Sequence, residues 1–172
     1  MGSDDLRVPK EMIRVHVRLR GEGHFEGDVF LSGCSPIHDG PQGLVELLNE
    51  PEPFFPIRLP GSEVRLVGKH EVIVVALPRP AAERYGGIRD YPTWQPARLV
   101  LVDDRTLQGD LNISASEIRY PRVLDALNAP GRFVCLRDEH ALHVVNKNAV
   151  RWVVAAAKPA GEVIAHEEIT HG

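Results

Sequence analysis

Val15-His16-Val17-Arg18-Leu19, a polar turn, and Phe25-Glu26-Gly27-Asp28-Val29-Phe30-Leu31 decide how this chain reads, because the arrangement returns later. Arg98-Leu99-Val100-Leu101, the turn Asp103-Asp104-Arg105, and Leu107-Gln108-Gly109-Asp110-Leu111-Asn112-Ile113 repeat it in order. Ile13 to Arg20 alternates apolar and polar residues, and a side-chain period of two makes such a run a strand with one buried face. Gly21-Glu22-Gly23-His24 supplies the turn, so the segment from Phe25 to Leu31 pairs back as a hairpin. Gly27 in mid-strand is read as a bulge or a sharp bend.

The repeat continues outward. Leu44-Val45-Glu46-Leu47-Leu48-Asn49-Glu50-Pro51 with Phe54 and Arg58 is echoed by Val123-Leu124-Asp125-Ala126-Leu127-Asn128-Ala129-Pro130 with Phe133 and Arg137. Leu66-Val67-Gly68-Lys69-His70-Glu71-Val72 to Val75 returns as Val144-Val145-Asn146-Lys147-Asn148-Ala149-Val150 to Val153. The offsets are 82 residues at Gly27 and Gly109, 79 at Phe54 and Phe133, and 78 at Lys69 and Lys147. Matches in one order at nearly constant spacing argue for an internal duplication in which only loops changed length.

Leu44, Leu47 and Leu48 fall at helical spacing, and Pro51 closes the segment because proline disfavours helix in the residue before it. A helix this short must cover a sheet face or a barrel end. Further strands are expected over 54–59, 64–67 and 71–77. The organisation read from the chain is a first β unit at 11–77, a Pro/Gly/aromatic connector at 78–95, a second unit at 96–157 and a C-terminal tail at 158–172. Tyr85, Tyr91 and Trp94 are expected to pack against a unit, and the tail to be mobile or docked in an oligomer.

Both units resemble the Sm-like proteins. Each has a Val-x-Val-x-Leu type strand, a short turn, a second strand carrying Gly, and later an apolar pair, a basic or small dipeptide and a closing Val/Ile strand. Val67-Gly68-Lys69-His70-Glu71-Val72 is also similar to the second signature of the bacterial Hfq branch. The resemblance implies a mainly β (α+β) fold of two tandem small bent Sm-like barrels, each with a short inserted helix. The pattern departs from the family in placing the helix after the hairpin, and in replacing the loop after the second strand by Gly33-Cys34-Ser35-Pro36-Ile37-His38 or Ser114-Ala115-Ser116-Glu117.

At 172 residues, 43% hydrophobic and 26% charged, the chain can bury a core without metal or disulfide staples. A formal charge of −4 argues against general polyanion binding, which needs many Lys and Arg against phosphates. No apolar run suits a membrane span, the N-terminus lacks the order of a secretory signal, and the expected location is cytoplasmic. Cys34 and Cys135 give no disulfide framework.

The turns Lys69/His70 and Lys147/Asn148 are the candidates for an RNA or partner site, since RNA recognition needs cations for phosphate and flat or amide groups for bases. Their plain reading is polar turn residues. Arg14 and Arg18 are further candidates for RNA or partner binding; with Arg20 they make a basic stripe, and most such stripes are solvated faces. His140 and His143 lie three apart, on opposite faces of a strand, so no metal site is expected. Cys34 and His38 offer a thiol and an imidazole without an identifiable third group, and no motif for a cofactor or enzyme is present. No catalytic, cofactor or metal residue is therefore assigned. The expected function is a non-enzymatic binding or scaffolding protein that self-associates or docks a protein partner through barrel strand edges; the alternative is RNA binding at the two lysine turns.

Overall fold

The computed structural model describes residues 10–21, 23–88, 92–114 and 122–155. The expected hairpin forms from β1 (Lys10–Leu19) and β2 (His24–Ser32), then α1 (Leu44–Asn49) and three strands, β3 (Phe54–Arg58), β4 (Val64–Gly68) and β5 (Val72–Pro78). After α2 (Arg79–Tyr85) the order recurs as β6 (Trp94–Leu101), β7 (Thr106–Asn112), α3 (Val123–Asn128), β8 (Phe133–Arg137), β9 (Ala141–Asn146), a 3-10 turn Lys147–Ala149 and β10 (Val150–Ala155). The chain is mainly β, with a short helix in each half.

The ten strands of the described residues belong to one open antiparallel sheet, ordered β10-β6-β7-β8-β9-β5-β1-β2-β3-β4. The two halves have the same internal order, with the fifth strand beside the first and then the second, third and fourth. One ladder joins them. β5 of the first half pairs with β9 of the second, from Val74↔Val145 to Pro78↔Ala141.

The correspondence reaches individual hydrogen bonds. Arg20 N–H donates to Glu71 O at 2.9 Å and Val102 N–H to Ala149 O at 2.9 Å; Lys69 N–H donates to Pro53 O at 2.8 Å and Lys147 N–H to Arg132 O at 2.9 Å. Both closing ladders skip one residue, Ile73 in β5 against β1 and Arg151 in β10 against β6. No such break occurs at Gly27, whose ladder to β1 runs unbroken through Val15↔Gly27. Gly27 instead admits a crossing strand: a Cβ there would stand 2.6 Å from Ile57 Cγ1 and 2.9 Å from Arg58 O, and one at Gly109 would collide with Arg137 O.

Two apolar cores result, and the strands at the join serve both. Val72, Val75, Leu77, Phe133, Cys135, Leu142 and Val144 enter the core of the first half, while Ile73, Val74, Val134, Leu136 and Val145 enter that of the second. Alternate side chains of β5, β8 and β9 thus face opposite cores, which explains apolar runs such as Val72-Ile73-Val74-Val75.

The connector contains α2, which composition did not suggest. Pro80 lies in the first turn of that helix, where a missing N–H breaks no helical hydrogen bond. Tyr85 and Trp94 pack against the first core, and the Tyr85 hydroxyl donates to Glu11. Tyr91 and the tail 158–172 lie outside the described residues.

Candidate interaction edges and the two lysine turns

Lys69 and Lys147 occupy matching turns, and both point inward. The Lys69 ammonium, on a residue only 1% exposed, donates to Leu47 O at 2.8 Å and Glu50 O at 2.9 Å. The Lys147 ammonium donates to Ala129 O at 2.6 Å and, more weakly, to Ala126 O at 3.5 Å. Those acceptors are carbonyls at the ends of α1 and α3, of which Leu47 O also accepts from Glu50 N–H at 3.3 Å, and the helix dipole there favours a cation. Burial holds both lysine pKa values below the ordinary range. Their ammonium groups are therefore engaged in stabilising six-residue helices that could not persist alone.

His70 and Asn148, next in sequence, are exposed. His70 Nε2 lies 3.3 Å from Glu71 Oε1, and its ring stands edge-on to Phe54 with centroids 6.5 Å apart. The Asn148 carbonyl accepts from Arg20 Nη2 at 2.9 Å, across the join of the halves. The turns Lys69/His70 and Lys147/Asn148 thus occupy equivalent places in separate halves.

Arg14 and Arg18 are also engaged. Arg14 Nε donates to Asp28 Oδ1 at 2.6 Å, which holds the Asp28 carboxyl below its usual range. Arg18 is half-buried; its Nε lies 3.8 Å from Asp103 Oδ2 of the other half, too far for a hydrogen bond, and among the described residues it has no hydrogen-bond partner. Within the basic stripe of β1, Arg14 and Arg18 stand beside carboxylates, while Arg20 donates to the carbonyls of His70 and Asn148.

Around Cys34 the structure supplies a group that spacing did not reveal. Glu46 of α1 accepts from Ser35 Oγ at 2.7 Å and from His38 Nε2, while His38 Nδ1 lies 3.0 Å from Asp39 O. With an acceptor beside each ring nitrogen, the protonated imidazole is favoured and its pKa is raised, by the Asp39 carbonyl first and Glu46 second. Cys135 is buried, and burial pushes its thiol up to about 12. His143 Nε2 pairs with Asp138 Oδ2 at 2.7 Å, and among the described residues no three His, Cys, Asp or Glu side chains gather as a metal site would require.

Among the described residues the sheet ends in two edge strands, β4 and β10, each paired on one side only. Val64 and Leu66 on β4, Phe54 on the adjoining β3, and Trp152 and Val154 on β10 are exposed large apolar side chains. Exposed backbone donors and acceptors beside apolar side chains form a template for adding another strand. Sequence reasoning named edges as a class without these residues, because only the strand order shows which strands are outermost.

Asn49 is a further residue that the sequence reading passed over. Its side chain spans the join, accepting from Phe133 N–H at 2.8 Å and donating to Phe133 O at 3.2 Å, as a neighbouring strand would. The signal was its recurrence as Asn128 in the repeat.

No family model matches this sequence, and no curated protein or solved structure matches it. Among the described residues, no helix is long and apolar enough to cross a membrane.

Proposed function

We propose that this chain is a non-enzymatic cytoplasmic binding or scaffolding protein that works through the unpaired edges of its sheet, by self-association or by docking a protein partner. The observation that carries this reading is the exposed apolar side chains on β4 and β10 beside backbone that no strand of the described residues pairs. Native proteins usually protect such edges, and main-chain pairing with alternate apolar contacts is a general mode of protein recognition. Each half is read as a small bent barrel of the Sm-like kind, the two having arisen by duplication. Their shared element order, strand order and lysine turn support that reading.

RNA binding is the alternative. A cleft of about 400 Å³ lined by Asn49, Glu50, Arg132, Lys147 and Asn148 favours it. Against it, both lysine ammonium groups already serve helix carbonyls, and Arg14 and Arg18 face carboxylates. Capture from native lysate and light scattering on the purified chain test the edge reading. Self-association or a stoichiometric protein partner, lost in Leu66→Lys or Trp152→Lys, is expected. A strictly monomeric, partnerless wild-type chain would overturn it. Nuclease-sensitive absorbance at 260 nm in the purified peak would move RNA to first place.

A further inference from the structure

Building on the edge reading, we infer that the partner is a second copy of this chain, added head to tail so that β10 of one copy pairs with β4 of the next. The join between the halves is the template. There the fifth strand of the first half pairs with the fourth strand of the second, Val74↔Val145, Val75↔Val144, Ala76↔His143 and Leu77↔Leu142. Among the described residues, the two free edges are the remaining fifth and fourth strands. Carried over at the offset of 78 residues, the register between copies becomes Trp152↔Val67, Val153↔Leu66, Val154↔Arg65 and Ala155↔Val64.

Exposure matches this assignment position by position. Val144 is 0% exposed at the internal join and its counterpart Leu66 is 72%; Val74 is 5% exposed and Trp152 54%. Leu142 and Phe133 are buried, whereas Val64 and Phe54 are exposed. Val74, Val144, Leu142 and Phe133, which the join covers, thus have apolar, uncovered counterparts, while Val67, the counterpart of Val145, already lies in the first core and Arg65 stands at the place of His143. The helix ends correspond as well. Asn49 on the half that supplies the fifth strand clamps the Phe133 backbone of the half that supplies the fourth. Asn128, which is exposed, holds the same place relative to Phe54 of the next copy.

Two internal contacts have no counterpart between copies. Asn146 Nδ2 donates to Val72 O at 2.9 Å and Lys69 O at 3.3 Å across the join, and Arg20 reaches Asn148 O, but the matching residues are Gly68 and Val102. The contact between copies is therefore the weaker one, and assembly depends on concentration. Because the surfaces used are different ones, each copy keeps a free edge after pairing, so the assembly grows into a ring if the rotation closes and a filament if it does not.

Native mass spectrometry and light scattering on full-length chain test this directly. Wild type is expected to pass beyond a dimer as concentration rises. Leu66→Lys removes one edge and Trp152→Lys the other, so each alone is expected to be monomeric while an equimolar mixture forms a 1:1 dimer and nothing larger. Arg65→Cys in one chain and Val154→Cys in another are expected to cross-link only with each other; far-ultraviolet circular dichroism and thermal melting establish that every variant is folded. Dimerisation of either lysine variant alone, or a mixture that stays monomeric while wild type assembles, would overturn head-to-tail pairing. A wild-type chain that is monomeric throughout the micromolar range overturns the second-copy inference. The edge reading is then judged separately, by whether the same two variants abolish capture of a different protein.

Discussion

The β5/β9 join and the β4/β10 edges are built from matching strands, yet one is the interior of the sheet and the other its boundary. At the join, side chains of both faces reach a core, because each half covers one face. At the edges only one face is covered, and Val67 is buried while Leu66 beside it is exposed. The comparison teaches that exposure at β4 and β10 is a property of position in the sheet, since comparable apolar residues are wholly buried where a neighbour is present.

The sharpest way to break this comparison is to place one charge at two matching positions. Val144→Lys would put an unpaired ammonium among buried apolar side chains, and a loss of about 4 kcal/mol or more is expected, or outright failure to fold. Leu66→Lys lies in solvent and should change monomer stability by no more than about 0.5 kcal/mol. Urea melts of the two variants measure both. Equal destabilisation would mean that the β4 edge is covered within the monomer.

The lysine turns give the next largest effect. Lys69→Met removes a donor from Leu47 O and Glu50 O and should cost about 1–3 kcal/mol, because Glu50 O loses its ammonium partner and Leu47 O keeps only a 3.3 Å bond from Glu50 N–H. Lys147→Met, from a less buried site with one long bond, should cost less. A thermal melt ranks the pair, and the reverse order would show that α3 is the helix more dependent on its cap.

A smaller difference separates the two asparagines. Asn49→Ala should lower monomer stability by about 1 kcal/mol through loss of the clamp on Phe133. Asn128→Ala should leave monomer stability unchanged and weaken assembly. Chemical denaturation read beside light scattering distinguishes them, and a stability loss at Asn128 would assign it a role within the chain.

Much of this architecture was legible in the sequence, and the illegible parts share one cause. The alternation in β1, the hairpin, the three-leucine face of α1 and the matching second half all rest on local periodicity, which a sequence displays. Which strands form the join is a long-range fact, so Val64, Leu66, Trp152 and Val154 could not be told from core residues. Lys69 illustrates the same limit. A basic residue in a turn reads as a surface group, and only the return of α1 over that turn brings two carbonyls to its ammonium. Likewise Glu46 reaches His38 by the fold of an intervening loop rather than by any motif.

Glu46 and Asp125 occupy matching helix positions and do different work, which gives the smallest and most specific expectation. Asp125 accepts from the backbone N–H of Arg122 at 2.9 Å and caps its own helix, whereas Glu46 holds the loop carrying Ser35 and His38. The His38 pKa is raised above its ordinary 6.5, so its contacts stabilise the fold fully below the unfolded value and lose that contribution as pH rises through the folded value. Amide hydrogen exchange at residues 33–42, corrected for the intrinsic pH dependence of exchange, should therefore show stronger protection at pH 5.5 than at pH 8.5. His38→Gln should flatten that difference without altering exchange in β6 to β10. A His38 imidazole titrating at or below 6.5 by NMR, or protection independent of pH in the wild type, would show that Glu46 does not hold the loop through a charged ring, and that the two carboxylates differ only in the backbone groups around them.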